Sequence, residues 1–388
     1  MNKTVALKLR NFRPIPPGLQ SQTNARRPAN QLRVSLPDLF HHLYLDSYGR
    51  TPPTPNPFNY LYPPMLARGT ALRFLRDGLG SHKEARIGEH NKFGKAFCRW
   101  FLSCHCDIHH FAHMDQVLND GFAHRLGPIQ VTRAAKGDTP DYLCSRNNRN
   151  LFLAEAKGTS SAISFDTTKF DSWRQQFRRV RCTHRNGRIR RLKGYIVATR
   201  LATENDSPNA RSTVLAEDPE TEGDAPLDEQ DAGEMAQAVV CAYYADILDH
   251  LRQPLLAAVL RSGDVLPSET KVRIAIWEGL AAPARGLRFV GGYYPPPGRS
   301  CEDVIWWPQP QLSIPAPICL SAAEATFFGL ELNTFKQLHS IALRGRSGAP
   351  EVQLPSLEGH SIPGLSVLRA GTALASLNFF RFLEAAEF

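Results

Sequence analysis

No run of the 388 residues is apolar enough for long enough to cross a bilayer, which argues against a membrane-spanning helix. The opening stretch MNKTVALKLRNFRPIPPG also lacks the sustained apolar core of a secretory signal, so the expected setting is intracellular, in the cytoplasm. Cysteine is present but not organised. Its eight residues are scattered apart from one cluster and do not make a disulfide framework. No segment repeats at solenoid spacing. Acidic residues are the scarcer charge, 37 Asp and Glu against 46 Lys and Arg, and a net charge of +9 with pI near 9.2 points to an anionic partner. Nucleic acid is the common reading; an acidic protein or a membrane surface is the alternative.

What is there is a globular composition, 42% hydrophobic and 21% charged, in a chain long enough for two or three domains. Residues 1–83 are expected to hold a Pro- and Arg-rich arm with little regular structure, followed by a short helix through MLARGTALRFLRDGLG that Gly78 and Gly80 would close. From Glu84 to about Cys104, Phe93, Phe97, Trp100, Phe101 and Cys104 recur at helical spacing and make one apolar stripe. Strands are expected at GPIQVTR, PDYLCS and LFLAEAKG, then a helix from about Thr167 to Val180, then a strand at LKGYIVATRL. Residues 202–234 are dense in Asp and Glu and read as an acidic linker or loop.

Residues 235–388 read as an α+β region that either extends the same sheet or forms a second domain. It has helices from Met235 to about Leu260, strands at KVRIAIWEGL, LRFVGGYY and DVIWWPQ, and a capping box of Ser321 and Glu324 opening a helix through AEATFFGLELNTFKQLHSIAL. The last residues, TALASLNFFRFLEAAEF, read as a terminal helix. No catalytic motif is found in this half. Tyr293, Tyr294, Trp306 and Trp307 are expected in the core, with base stacking as the alternative use.

The chemistry concentrates between Lys136 and Thr159. In a strand, alternate residues share a face, so Glu155 and Lys157 point one way and the small Ala154 and Ala156 the other, where a helix can pack closely. If PDYLC and LFLAEAKG pair antiparallel across the turn SRNNRN, Asp141 lies beside Glu155. Two adjacent carboxylates repel unless a positive charge joins them. Mg²⁺ suits the place, since it takes hard oxygen ligands and keeps several waters; Mn²⁺ can substitute. Lys157 would then orient the attacking water or stabilise a charged transition state, as phosphodiester hydrolysis requires. Asp138, in the same turn, reads as a turn residue.

Pro140-Asp141 followed by Glu155-Ala156-Lys157, set in apolar strands, resembles the PD-(D/E)XK nuclease superfamily, over roughly residues 84–201. The resemblance implies an α/β restriction-endonuclease-like core of helix, three strands, helix and strand, and a Mg²⁺-dependent nuclease acting on DNA rather than RNA. It implies Asp141 and Glu155 as metal ligands and Lys157 as the catalytic cation. Members often add a glutamate from the first helix, for which Glu89 is the candidate and Glu84 the fallback. Some add a glutamine from the second helix, Gln176 before Gln175. Restriction, phage defence, mobile-element or repair work is the setting implied by analogy.

The basic stretch after the second helix, with Arg178, Arg179, Arg181, Arg188, Arg190, Arg191 and Lys193 preceded by Arg174, is expected to contact phosphates. The cluster of Cys98, Cys104, Cys106, His109, His110 and His113 matches no zinc-site spacing and reads as core cysteines with exposed histidines. Two other readings compete. One is an inert nucleic-acid-binding module of the same fold, against which the intact Asp, Glu and Lys argue. The other is a protein–protein component of a larger complex that docks through its acidic segment and C-terminal half.

Overall fold

The structure is a computed structural model, and it describes residues 2–47, 65–119, 129–146, 150–184, 186–187, 189–190, 192–219, 229–294, 326–345, 352–355, 357, 361–375 and 379–388. It is mixed α/β and divides into two compact units. One comprises residues 2–46 and 60–243, and the other takes in residues 244–388.

The first unit runs β1 (Asn2–Arg10), β2 (Gln20–Ser21), β3 (Asn24–Pro28), β4 (Gln31–Ser35), α1 (Leu36–Ser47), α2 (Lys83–His105), β5 (His110–His113), α3 (Met114–Asn119), β6 (Ile129–Arg133), β7 (Tyr142–Ser145), β8 (Leu151–Thr159), α4 (Thr168–Phe177), β9 (Val180–His184), β10 (Ile189–Arg190), β11 (Lys193–Arg200) and β12 (Thr213–Glu217), and ends within α5 (Glu229–His250). Its main sheet has the order β4-β1-β12-β11-β8-β7-β5. The β8–β11 and β1–β12 pairs are parallel and the others antiparallel.

Helix α2 lies on this sheet because its apolar stripe has nowhere else to go: Phe93, Phe97, Trp100 and Phe101 are all buried. Each such side chain contributes about 1.5–3 kcal/mol on burial. The approach is close enough that two glycines are obligatory. A Cβ on Gly158 of β8 would stand 1.7 Å from the His90 carbonyl oxygen, and one on Gly94 would stand 2.4 Å from the Gly158 nitrogen. The other face of the sheet, with Leu143, Leu153, Ile196 and Leu215, packs against Phe170 and Phe177 of α4 and Met235, Ala236 and Val239 of α5.

The N-terminal arm is not irregular at its start. Residues 2–10 form β1, whose Val5 and Leu7 are buried, because the alternation in TVALKL precedes the first proline. The helix expected through MLARGTALRFLRDGLG does not form. Leu66 bridges Phe74, the Lys3 ammonium donates to the Ala67 and Gly69 carbonyls at 2.7 Å, and Gly78 and Gly80 sit at positive φ in turns. Strand β6 leaves the main sheet to pair with β9, and β5, from the Cys/His cluster, takes the third place beside β7. The segment read as an acidic linker contains β12, buried between β1 and β11, and the start of α5; residues 220–228 lie outside the described ones.

The second unit, which begins within α5, continues with α6 (Pro254–Ser262), β13 (Arg273–Gly279), β14 (Arg288–Tyr294), β15 (Thr326–Glu331), α7 (Leu332–Arg344), β16 (Leu365–Val367), β17 (Thr372–Ala375) and β18 (Phe380–Glu387). Its six strands form an antiparallel sheet of their own, ordered β16-β17-β15-β14-β13-β18. Trp277 anchors its core against Tyr293, Phe327 and Phe382, and its indole N–H donates to the Gly291 carbonyl at 2.8 Å. Tyr293 and Tyr294 are buried; Trp306, Trp307 and the DVIWWPQ segment lie outside the described residues, as do Ser321 and Glu324.

The TFFGLE run is a strand rather than helix, and α7 is capped by Glu331, whose carboxylate accepts from the Asn333 and Thr334 amides at 2.8 and 2.7 Å. The terminal segment forms β17 and β18 rather than a helix. Pairing with β15 and β13 overrides the helical propensity of its Ala, Leu and Glu.

Candidate active site

The site is built where β7 and β8 meet. Their antiparallel register sets Tyr142 opposite Ala154, and one residue further places Asp141 opposite Glu155. Asp141 is fixed at both ends. Its carbonyl accepts from the Met114 amide at 2.8 Å, and its Oδ2 accepts from the Ala156 amide at 2.9 Å. Its Oδ1 lies 3.5 Å from the ammonium of Lys95 on α2.

Glu155 is fully buried. Lys157 Nζ lies 2.5 Å from its Oε1, a contact that favours the ionised carboxylate and the charged ammonium together. Burial first, and the Asp141 charge second, push its carboxyl up to about 8. Lys157 moves the other way from what burial dictates. The Glu155 and Asp141 charges outweigh desolvation and raise its ammonium above the ordinary value.

A second charged cluster adjoins this one. Asp46, at the end of α1, has a side chain only 3% exposed. Its Oδ1 lies 3.3 Å from Arg99 Nη1 and 3.6 Å from His113 Nε2, and the Tyr142 hydroxyl donates to the same oxygen. Burial would raise the Asp46 carboxyl, but the charges of His113, Arg99 and Lys95 and the Tyr142 hydroxyl hold it below the usual range.

The other expected site residues are distributed differently. Glu89 forms an ion pair with Lys92 on its own helix at 2.8 Å. It stands six positions before Lys95, which puts the two roughly 120° apart around the helix. Glu84 is exposed and pairs with His82. Gln176 is buried with an unpartnered side-chain oxygen, and Gln175 is exposed.

The basic stretch splits. Arg174 is consumed by Glu217, at 2.9 and 3.0 Å, and by Asp171 at 2.5 Å. Lys193 pairs with Asp218 at 2.8 Å, and Arg179 donates to the Asp138 carbonyl at 2.9 Å. Arg178 and Arg181 are exposed and line a cavity of about 1280 Å³ together with Arg10, Arg174 and Glu217. Arg188 and Arg191 lie outside the described residues, as does the Arg190 side chain.

The histidines expected to be exposed are not. His109 is buried between Ser103 and Asp107, at 3.0 and 2.9 Å, and His110 is buried with its imidazole pushed down to about 3 by desolvation. Among the described residues, no three or more His, Cys, Asp or Glu side chains gather as a metal-holding group. No described cysteine is in a disulfide, and Cys104, expected in the core, is exposed.

Sequence reasoning missed Lys95, Asp46, Arg99, Tyr142 and His113. Lys95 and Arg99 are one turn apart on α2, a spacing visible in the sequence, but Asp46 comes from a segment with no motif. Comparison with protein-family models, curated proteins and solved structures finds no match to this chain. No helix among the described residues is long and apolar enough to cross a membrane.

Proposed function

We propose that this chain is a metal-dependent nuclease that hydrolyses phosphodiester bonds, with DNA as its substrate. The observation that carries the reading is the pairing of Asp141 with the buried Glu155, each with a lysine ammonium beside it. Carboxylates held this close, one fully buried and with its proton retained toward pH 8, suit a hard divalent cation that displaces the proton. Asp141 and Glu155 would hold it. When bound, Mg²⁺ would polarise the phosphate and favour ionisation of the attacking water.

The chain's own residues supply the rest. Lys157, held on the Glu155 side, orients the water and meets charge developing on the phosphate. Asp141, pinned by the Ala156 amide, keeps the pair in register. The exposed Arg178 and Arg181 take backbone phosphates without regard to sequence. The resemblance to the PD-(D/E)XK superfamily supports the same chemistry, and the order of α2, strands, α4 and β11 is compatible with it.

The test is a substrate panel of supercoiled plasmid, linear duplex, single-stranded DNA and RNA, each with Mg²⁺, Mn²⁺ or EDTA. Cleavage of DNA in Mg²⁺ or Mn²⁺ and not in EDTA is expected. Binding without cleavage under every condition would favour the inert-module reading instead.

A further inference from the structure

We propose that Lys95 is a second catalytic cation of this centre, placed to stabilise the charge that develops on the leaving oxygen. This rests on the nuclease reading above and adds a residue that its motif does not contain. Hydrolysis of a phosphodiester is an in-line displacement, so attacking and leaving oxygens lie on opposite sides of phosphorus and both need positive charge nearby. The two acids carry one ammonium each. Lys157 lies 2.5 Å from Glu155, and Lys95 lies 3.5 Å from Asp141. With Lys157 serving the nucleophile, the cation on the Asp141 flank falls to the leaving side. Among the described residues the centre gathers two carboxylates and no third metal-type ligand, which provides for one ion. A lysine then does what a second metal ion does elsewhere.

Lys95 is also held there. It and Arg99 project from the same face of α2, one turn apart. Arg99 Nη1 lies 3.3 Å from Asp46 Oδ1, and that oxygen also takes the hydroxyl of Tyr142, the residue after Asp141. One buried carboxylate therefore ties the helix that carries Lys95 to the strand that follows Asp141. A buried charged cluster is a poor source of stability compared with apolar packing. Beside this centre its use is to fix the distance between Lys95 and Asp141, and Asp46 acts as a positioning residue.

The step balances. The water oxygen bonds to phosphorus, the bond to the leaving oxygen breaks, and its electron pair departs on that oxygen. The water gives a proton to solvent, and the leaving alkoxide takes one from solvent. Lys95 stays charged throughout.

The experiment compares Lys95→Met and Lys95→Arg in the full chain with Mg²⁺ on two substrates. One is an oligonucleotide duplex; the other is a p-nitrophenyl ester of thymidine phosphate, whose leaving phenolate needs little help. Lys95→Met should lower kcat on the duplex by about 10²–10³-fold, the scale of losing one charge-stabilising donor, and should lower it far less on the ester. Lys95→Arg should recover much of the duplex activity. Duplex affinity measured by fluorescence anisotropy in Ca²⁺ should change by no more than about threefold in Lys95→Met, because the charge matters in the transition state. Asp46→Asn should show the same preference for the ester with a smaller loss.

Equal losses on both substrates, or a loss confined to KM and affinity, would overturn the assignment. If the wild type turns over the duplex but not the ester, the split between kcat and affinity on the duplex decides. A wild type that cleaves neither substrate removes the nuclease reading; a wild type that cleaves, with Lys95→Met equally active, removes only the role of Lys95.

Discussion

The backbone amide of Ala156 donates to Oδ2 of Asp141 at 2.9 Å, so the carboxylate leading into one strand is fastened to the residue beside Glu155 on the next. The two acids therefore differ in what they do for the fold. Asp141→Ala removes a hydrogen bond and should cost about 1 kcal/mol of stability. Glu155→Gln removes a buried acid and should cost nothing at pH 8 or add stability. Both should lower cleavage by at least about 10³-fold. Denaturant melts and plasmid nicking on the two variants check this; equal stability effects, or retained cleavage in either, would contradict it.

The Glu155 carboxyl, pushed up to about 8 by burial and by Asp141, makes stability depend on pH. The folded chain holds a proton that the unfolded chain releases near the ordinary value of 4.5, so the stability from this group is fully present below 4.5 and is lost as pH rises through 8. In EDTA, wild type minus Glu155→Gln should fall by up to about 1.4 kcal/mol per pH unit across that window. Mg²⁺ should restore what is lost, by binding the folded state alone. A difference that stays flat from pH 5 to 9 would refute the burial argument.

Lys157→Ala should keep the fold and bind nucleic acid with affinity close to wild type, yet lose about 10²–10³-fold in kcat. It should also need higher pH for Mg²⁺ binding, because Glu155 loses the ammonium 2.5 Å away that favours its ionised form. Calorimetric Mg²⁺ titrations at pH 7 and 9 test the second part. A variant with unchanged turnover and weakened substrate binding would make Lys157 a phosphate anchor.

Not every arginine after α4 should behave alike. Arg178 and Arg181 are exposed, and their joint replacement by Gln should flatten the log–log salt dependence of DNA binding by about one unit for each phosphate no longer neutralised. Arg174 is different, since it forms a two-point ion pair with Glu217, which is 2% exposed. Arg174→Ala should destabilise the fold by about 3 kcal/mol by leaving that charge buried. Salt titrations by anisotropy and thermal melts separate the two classes; a soluble, stable Arg174→Ala with weaker binding would reverse this assignment.

Much of the centre was legible because it is local. Asp141 leads into β7 and Glu155 lies on β8, the next strand in the chain, so alternation alone aligns them. The stripe of Phe93, Phe97 and Phe101 likewise marks α2 without tertiary knowledge. What escaped depends on distant chain. Strand β1 borrows β12 from some two hundred residues away, and its short alternation runs straight into a proline-rich stretch that masks it. Asp46 meets Arg99 and Tyr142 only after the sheet has formed. Lys95 of α2 meets Asp141 at 3.5 Å, and no motif in the sequence marks it. In β18, Ala and Glu favour helix locally, and pairing to β13 decides otherwise.

The most direct test of the whole account is Mg²⁺-dependent nicking of supercoiled plasmid by wild type and Glu155→Gln, with Mg²⁺ affinity measured on the same preparations. The account predicts that wild type nicks in Mg²⁺ and stops in EDTA, while Glu155→Gln stays folded, binds Mg²⁺ weakly and does not nick. Nicking by wild type that persists in EDTA, or Glu155→Gln cutting at the wild-type rate, would contradict it.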